Sequence, residues 1–177
     1  MNAARTLARV ERGWCRSANR WGAQQAVRAY FRAVSRLGDG HAWYALIAVL
    51  AFVDLWRGSG VALQMAIVGL VAAILYRRLK HWTRRPRPYR RDREIRAWIA
   101  PLDEYSFPSG HTLHAVSFTA VAIAAYPLLA WALVPFTVSV AVSRVVLGVH
   151  YPSDVVAAAG IGGGLAAGVL GAWALVA

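Results

Sequence analysis

Residues 127–148 read PLLAWALVPFTVSVAVSRVVLG, twenty-two residues of nearly unbroken apolar character with a single charge at Arg144. A helix needs about 20 mostly apolar residues to cross a bilayer, so this stretch is long enough to span one. Four more apolar stretches accompany it, at 41–56, 61–76, 112–126 and 155–177. The 41–56 and 112–126 stretches fall below the lower limit of about 17 residues and must borrow flanking residues. Trp43, Tyr44, Trp56, Tyr76, Tyr126 and Trp173 sit near the edges, where amphipathic rings anchor at an interface. The expectation is an all-α integral membrane bundle of about five transmembrane helices.

The rest of the composition agrees. The 177-residue chain is 58% hydrophobic and 16% charged, which excludes disorder, collagen-like repeats and a disulfide scaffold. Twenty Lys+Arg oppose eight Asp+Glu, for a net charge of +12, and Lys80 is the only lysine. Cys15 is the only cysteine, so the chain has no internal disulfide. In residues 1–40, eight arginines from Arg5 to Arg36 alternate with Leu7, Val10, Trp14, Trp21, Val27, Tyr30 and Phe31. That pattern predicts one or two basic amphipathic helices on the membrane surface, followed by a break at Gly38-Asp39-Gly40. Residues 41–177 are then the transmembrane domain. It carries a polar loop at 77–110 with ten cations, kept from continuous helix by Pro86, Pro88, Pro101 and Pro108. In the last stretch Gly160, Gly164 and Gly168 form a small-residue row for helix packing, within one chain or between protomers.

Threading the stretches alternately through a bilayer gathers the polar residues on one face. The second stretch ends there before Lys80 and Arg87, the third begins there at Ser109-Gly110-His111, and the fourth ends there at Arg144–His150. The fifth begins there at Asp154. Ionisable groups at the ends of membrane helices mark a functional site by default. Three fixed cations suit a tetrahedral phosphate and the charge of its transition state. Ser109 is placed to cap the third helix, and Gly110 lets its backbone approach a phosphate at the helix N-terminus. His111 and His150 supply two proton-transfer or nucleophilic groups. Asp154 falls four residues after His150, where a carboxylate fixes an imidazole tautomer. Too few acids and three cations argue against a divalent metal, and the reading requires no cofactor.

These residues resemble the type 2 phosphatidic acid phosphatase superfamily, which includes membrane lipid phosphate phosphatases and the vanadium haloperoxidases. Lys80-x6-Arg87-Pro88, Pro108-Ser109-Gly110-His111 and Ser143-Arg144-x5-His150-x3-Asp154 match its three motifs in order, with no departure at any motif position. The resemblance implies that His150 attacks phosphorus to form a phosphohistidine, held by Asp154. It implies that His111 protonates the leaving alcohol and then activates water. Lys80, Arg87, Arg144, Ser109 and Gly110 would bind the phosphoryl oxygens. The expected substrate is a lipid phosphate: phosphatidic acid, phosphatidylglycerophosphate, or a polyprenyl phosphate or diphosphate.

Other polar residues receive plainer readings. His114 reads as a hydrogen-bonded interior histidine, His41 and His81 have no evident partner, and Asp54 and Arg57 suit a helical ion pair. Asp103 and Glu104 read as solvated loop residues, and Arg90, Arg91, Arg93 and Arg96 as contacts to anionic lipid headgroups. The site-bearing face holds nineteen cations and the other only Arg57, which places the active site on the cytoplasmic face of a bacterial inner (plasma) membrane. Family members commonly have six spans with an outer-face site, and this chain reads as five. Two other readings compete: a vanadate-dependent haloperoxidase, and a non-enzymatic protein that binds anionic lipid through its charge. Nucleic acid is not an expected partner.

Overall fold

The computed structural model of the chain describes residues 3–53 and 57–176, with side chains for all of these except residues 3–5, 7, 53 and 57. Eight α-helices make up the described part: α1 (Ala3–Trp21), α2 (Gln25–Arg36), α3 (Ala42–Val53), α4 (Arg57–Thr83), α5 (Pro88–Arg91), α6 (Gly110–Ala125), α7 (Ala130–Val146) and α8 (Pro152–Ala174). Three segments are long and apolar enough to cross a membrane, Gly58–Thr83, Pro127–Val146 and Pro152–Ala174. α3 and α6 are short apolar helices, matching the two stretches read as short, whereas the sixteen residues of 61–76 lie within the longer α4. The Asp54–Arg57 pair lies outside the described residues.

Two boundaries differ from the sequence reading. The polar loop does not begin at residue 77, because α4 continues through Thr83 and carries Lys80 on its last turn. Cations near a helix C-terminus favour the dipole, and no proline intervenes before Pro86, so nothing stops the helix at Tyr76. Arg84, in the left-handed region (φ 46°), then turns the chain back. At Gly38-Asp39-Gly40 the helical hydrogen bonding continues as a π turn, Leu37–His41, kinked where Gly40 takes φ 133°.

The apolar core joins Trp43, Met65, Val68, Phe118, Val121 and Val140 from α3, α4, α6 and α7. The Trp43 ring lies 5.5 Å from Phe118 and 5.4 Å from Phe136. α6 packs against α4, α7 and α8. Its backbone crowds α8 at Gly162, where a Cβ would lie 2.6 Å from the Leu113 carbonyl oxygen. Gly160, Gly164 and Gly168 have nothing within 4 Å of a Cβ position, so the predicted row does not make this contact. Among the described residues Gly162, two residues from either neighbour in the row, makes it.

α1 and α2 lie across the polar end of the bundle, against α7, α8 and the 84–109 loop. Asn19 donates to the carbonyls of Arg96 (2.9 Å) and Val146 (3.0 Å) and accepts from the Arg96 amide (2.9 Å). Arg16 pairs with Asp92 at 2.6 Å, and Cys15 packs with Ile95 and Tyr151. Val10, Trp14, Trp21 and Tyr30 remain exposed.

Candidate active site

Lys80 and Arg87 reach the same point from different directions. Lys80, buried at the end of α4, donates through Nζ to both carboxylate oxygens of Asp103 (2.7 and 2.6 Å) and to the Tyr105 carbonyl (3.2 Å). Arg87, buried just before α5, donates from Nη2 to Asp103 Oδ1 (2.8 Å) and from Nη1 to the Val149 carbonyl (2.7 Å). Asp103 is therefore a partner of the cations while its side chain stays 38% exposed, so the solvated loop residue expected from sequence also closes over the two cations. A lone acid 23 residues from Lys80 gives no local signal. Burial alone would raise its carboxyl, but Lys80 and Arg87 outweigh that and hold it below the usual range. Glu104 stays on the surface, paired with Arg90 at 3.0 Å.

The start of α6 brings in the second motif. Ser109 is the N-cap, its Oγ accepting from the Thr112 amide at 3.5 Å, and it is fully buried. His111 Nε2 is hydrogen-bonded to Asp39 Oδ1, from the π turn between α2 and α3. His114, one turn on, lies between the carbonyls of Gly110 (2.9 Å) and Gly69 (3.3 Å), as an interior histidine does.

The third motif depends on how α7 ends. Gly148 takes φ +76°, and a Cβ there would lie 2.3 Å from the Arg96 carbonyl oxygen, so only glycine fits. The reversal lets the amides of Val149 and His150 both donate to the Arg144 carbonyl (3.1 Å each). Five intervening residues thus bring the Arg144 and His150 side chains to one place. Arg144 is buried, and its Nη1 donates to Ser35 Oγ of α2. Its Nε has no hydrogen-bond partner among the described residues. An unpaired buried cationic donor is costly, and an anion would satisfy it.

His150 lies between a cation and a carboxylate. Arg87 Nη1 is 3.4 Å from His150 Nε2, and Asp154 Oδ2 is 3.6 Å from Nδ1. A guanidinium can only donate, so the contact assigns the lone pair to Nε2 and the proton to Nδ1, facing Asp154. Burial, then Arg144, Arg87 and Lys80, push His150 well below its usual 6.5. It is neutral at pH 7. Pro152 starts α8, and the buried Asp154 accepts from the Tyr151 amide (2.8 Å) at the helix N-terminus.

Lys80, Arg87, Gly110, His111, Arg144 and His150 all line one cavity of about 1000 Å³. It continues from this polar end along apolar walls that include Trp43, Ile47, Met65, Leu70 and Phe118. Ser109 and Asp154 stand behind it rather than in its lining. Among the described residues, no three His, Cys, Asp or Glu side chains form a metal-binding group.

The motif reading missed Asp103, Asp39, Ser35, Arg85 and Glu11. One signal was available. The chain has so few acids for its cations that each should be paired, and of the seven described acids six pair with Lys or Arg while Asp39 bonds His111.

Comparison with known proteins shows the family and the fold. The family model of the PAP2 superfamily matches residues 55–175. An undecaprenyl-diphosphatase of Sulfolobus acidocaldarius is 29% identical over 125 residues, which cover 70% of this chain. The match spans 60% of that relative's length. The fold matches the crystal structure of a transmembrane PAP2 type phosphatidylglycerolphosphate phosphatase from Bacillus subtilis with TM-score 0.81 and 24% identity, over 100% of this chain and 89% of that one. It matches LpxE of Aquifex aeolicus with TM-score 0.72 and 24% identity, over 88% and 92%. Glu11, Ser35 and Asp39 all precede the region that the family model matches.

Proposed function

Since the chain belongs to the PAP2 superfamily, we propose that it is a membrane-embedded lipid phosphatase working through a phosphohistidine at His150. The observation that carries this reading is a single cavity joining three cations and a neutral, carboxylate-backed histidine to an apolar wall. The cations suit a phosphoryl group and the wall a lipid chain. A soluble oxidation substrate, as in the haloperoxidase reading, needs no such wall, and charge alone leaves the histidines without a role.

In the proposed reaction, His150 Nε2 attacks phosphorus in line as the bond to the leaving oxygen breaks. Lys80, Arg87 and Arg144 balance the charge on the three equatorial oxygens. The leaving oxygen takes a proton from His111, whose ring is held in place by Asp39. Asp154 balances the positive charge that develops on the His150 ring. His111 then accepts a proton from water as the water attacks the phosphohistidine, releasing phosphate and restoring His150. The Gly110 backbone at the α6 N-terminus completes the cradle, with Ser109 capping the helix behind it.

The substrate is a lipid phosphate monoester or diphosphate, and a polyprenyl diphosphate is the first to try because the curated relative is named for one. We place the site on the cytoplasmic face of a bacterial inner membrane, on the distribution of cations. The exposed tryptophans and arginines of α1 and α2 would meet anionic lipid at that surface. The test is phosphate release by the purified protein from phosphatidic acid, phosphatidylglycerophosphate and a polyprenyl diphosphate, with chelator present. Release from at least one lipid, abolished by His150→Ala, is expected. Undiminished release by folded His150→Ala protein would overturn the mechanism.

A further inference from the structure

Arg85 belongs to none of the three motifs, yet it touches the site's central carboxylate. Its Nη1 donates to Asp154 Oδ1 at 2.6 Å and to Ser153 Oγ at 2.7 Å, while Nη2 donates to Glu11 Oε2 at 2.7 Å. The guanidinium lies 4.1 Å over the Tyr151 ring, which fixes its plane. Glu11, buried on α1, also accepts from the Ser153 amide at 3.0 Å and is hydrogen-bonded to the Ser153 hydroxyl. It therefore also meets the free N–H end of α8, where a carboxylate is favoured.

We propose that Glu11 and Arg85 are positioning residues for the proposed reaction, extending the His150–Asp154 pair to a chain of four, Glu11–Arg85–Asp154–His150. The proposal rests on the phosphatase reading above. Its physical basis is orientation and charge. Asp154 has one oxygen toward His150 and the other held by Arg85, so the guanidinium fixes the carboxylate plane. Arg85 alone would also draw the negative charge of Asp154 away from the ring. Glu11 on the opposite edge of the guanidinium offsets that cation and leaves the charge of Asp154 facing His150 Nδ1, 3.6 Å away. The amphipathic helix α1 thereby becomes part of the catalytic assembly, though it precedes every motif.

The test compares the full-length parent, Glu11→Gln, Glu11→Asp, Arg85→Gln and the Glu11→Gln/Arg85→Gln double variant. Farnesyl diphosphate and dioctanoyl phosphatidic acid serve as substrates, and inorganic phosphate as inhibitor. Glu11→Gln keeps size and loses charge. Its kcat is expected to fall roughly ten- to a hundredfold, as small misplacements of reacting groups do. KM and phosphate inhibition should stay within about twofold, because Lys80, Arg87 and Arg144 are untouched. Glu11→Asp should recover part of the rate. In the Arg85→Gln background the Glu11 change should cost little more, since Glu11 acts through Arg85.

Unchanged kcat in Glu11→Gln overturns the proposal. So does a parallel loss of kcat and phosphate affinity, which would mark a merely structural role. Equal effects of the Glu11 change in both backgrounds break the chain even if one single variant folds poorly. A His150→Ala control separates the two readings: if it stays active, the phosphohistidine reading has failed, whatever Glu11 does.

Discussion

Lys80 and Arg87 both hold the carboxylate of Asp103, so a phosphoryl group reaching the same cations competes with a resident anion. Asp103→Asn removes the competing charge. KM for the lipid phosphate and the inhibition constant for inorganic phosphate should both fall, by roughly three- to tenfold for one charge-assisted contact, and steady-state kinetics reads both. A rise in KM would mean that Asp103 orients the cations rather than competing for them. His150 gives a pH prediction. Its folded pKa lies well below the usual 6.5, so below that value the unfolded chain binds a proton that the folded chain does not. Its contribution to stability is complete above about pH 6.5 and declines as pH falls. The melting midpoint in detergent should drop between about pH 7.5 and 5, and drop less in His150→Gln. Asp103 does not blur this window, because its contribution is lost only below its usual 3.8. The motif residues were legible in the sequence because each motif carries fixed spacing. Asp103, Asp39 and Glu11 were not, because contacts spanning 23, 72 and 74 residues leave no local pattern.

At the scale of elements, spacing is enforced by how helices stop. Gly148→Ala forces a Cβ onto the Arg96 carbonyl and an unfavourable left-handed backbone, costing about 1–2 kcal/mol before any clash. Because the same turn carries His150, kcat should fall along with the melting temperature, whereas a remote destabilising change would lower only the latter. Two glycines of α8 should respond with opposite signs. Gly162→Ala meets the α6 backbone and should destabilise the protein, while Gly160→Ala meets open space and gains about 1 kcal/mol of helix propensity. Thermal melts of the two variants check this. The sequence marked α8 as glycine-rich, but it did not mark Gly162, since which face meets α6 depends on crossing geometry. Likewise, apolar run length placed the start of α4 well and its end poorly. Arg77, Arg78 and Lys80 read as loop by hydropathy, yet a helix C-terminus accepts cations.

For the whole molecule, apolar periodicity and run length made the all-helical membrane class readable, and alternate threading anticipated the single polar end where the motifs meet. The part played by residues 1–40 was not readable, since an arginine-rich amphipathic helix has the same pattern whether it lies on lipid or on protein. Here α1, α2 and the π turn after them send Glu11, Ser35 and Asp39 to Arg85, Arg144 and His111. The proposed cytoplasmic orientation rests on charge, and Glu104, exposed beside the site, can report it. Native Cys15 is buried with its thiol pushed up to about 12, so it should not react with a maleimide. A Glu104→Cys variant should then be labelled by a membrane-impermeant maleimide in inverted vesicles and not in intact spheroplasts. The reverse pattern would put the site on the outer face.

The most direct test of the central claim is to trap the phosphoenzyme: rapid acid-free quenching of the purified protein with a lipid substrate carrying labelled phosphate. The account predicts a base-stable, acid-labile phosphoryl label on His150, absent from His150→Ala. Rapid phosphate release with no protein-bound label, or a label that persists in His150→Ala, would contradict it.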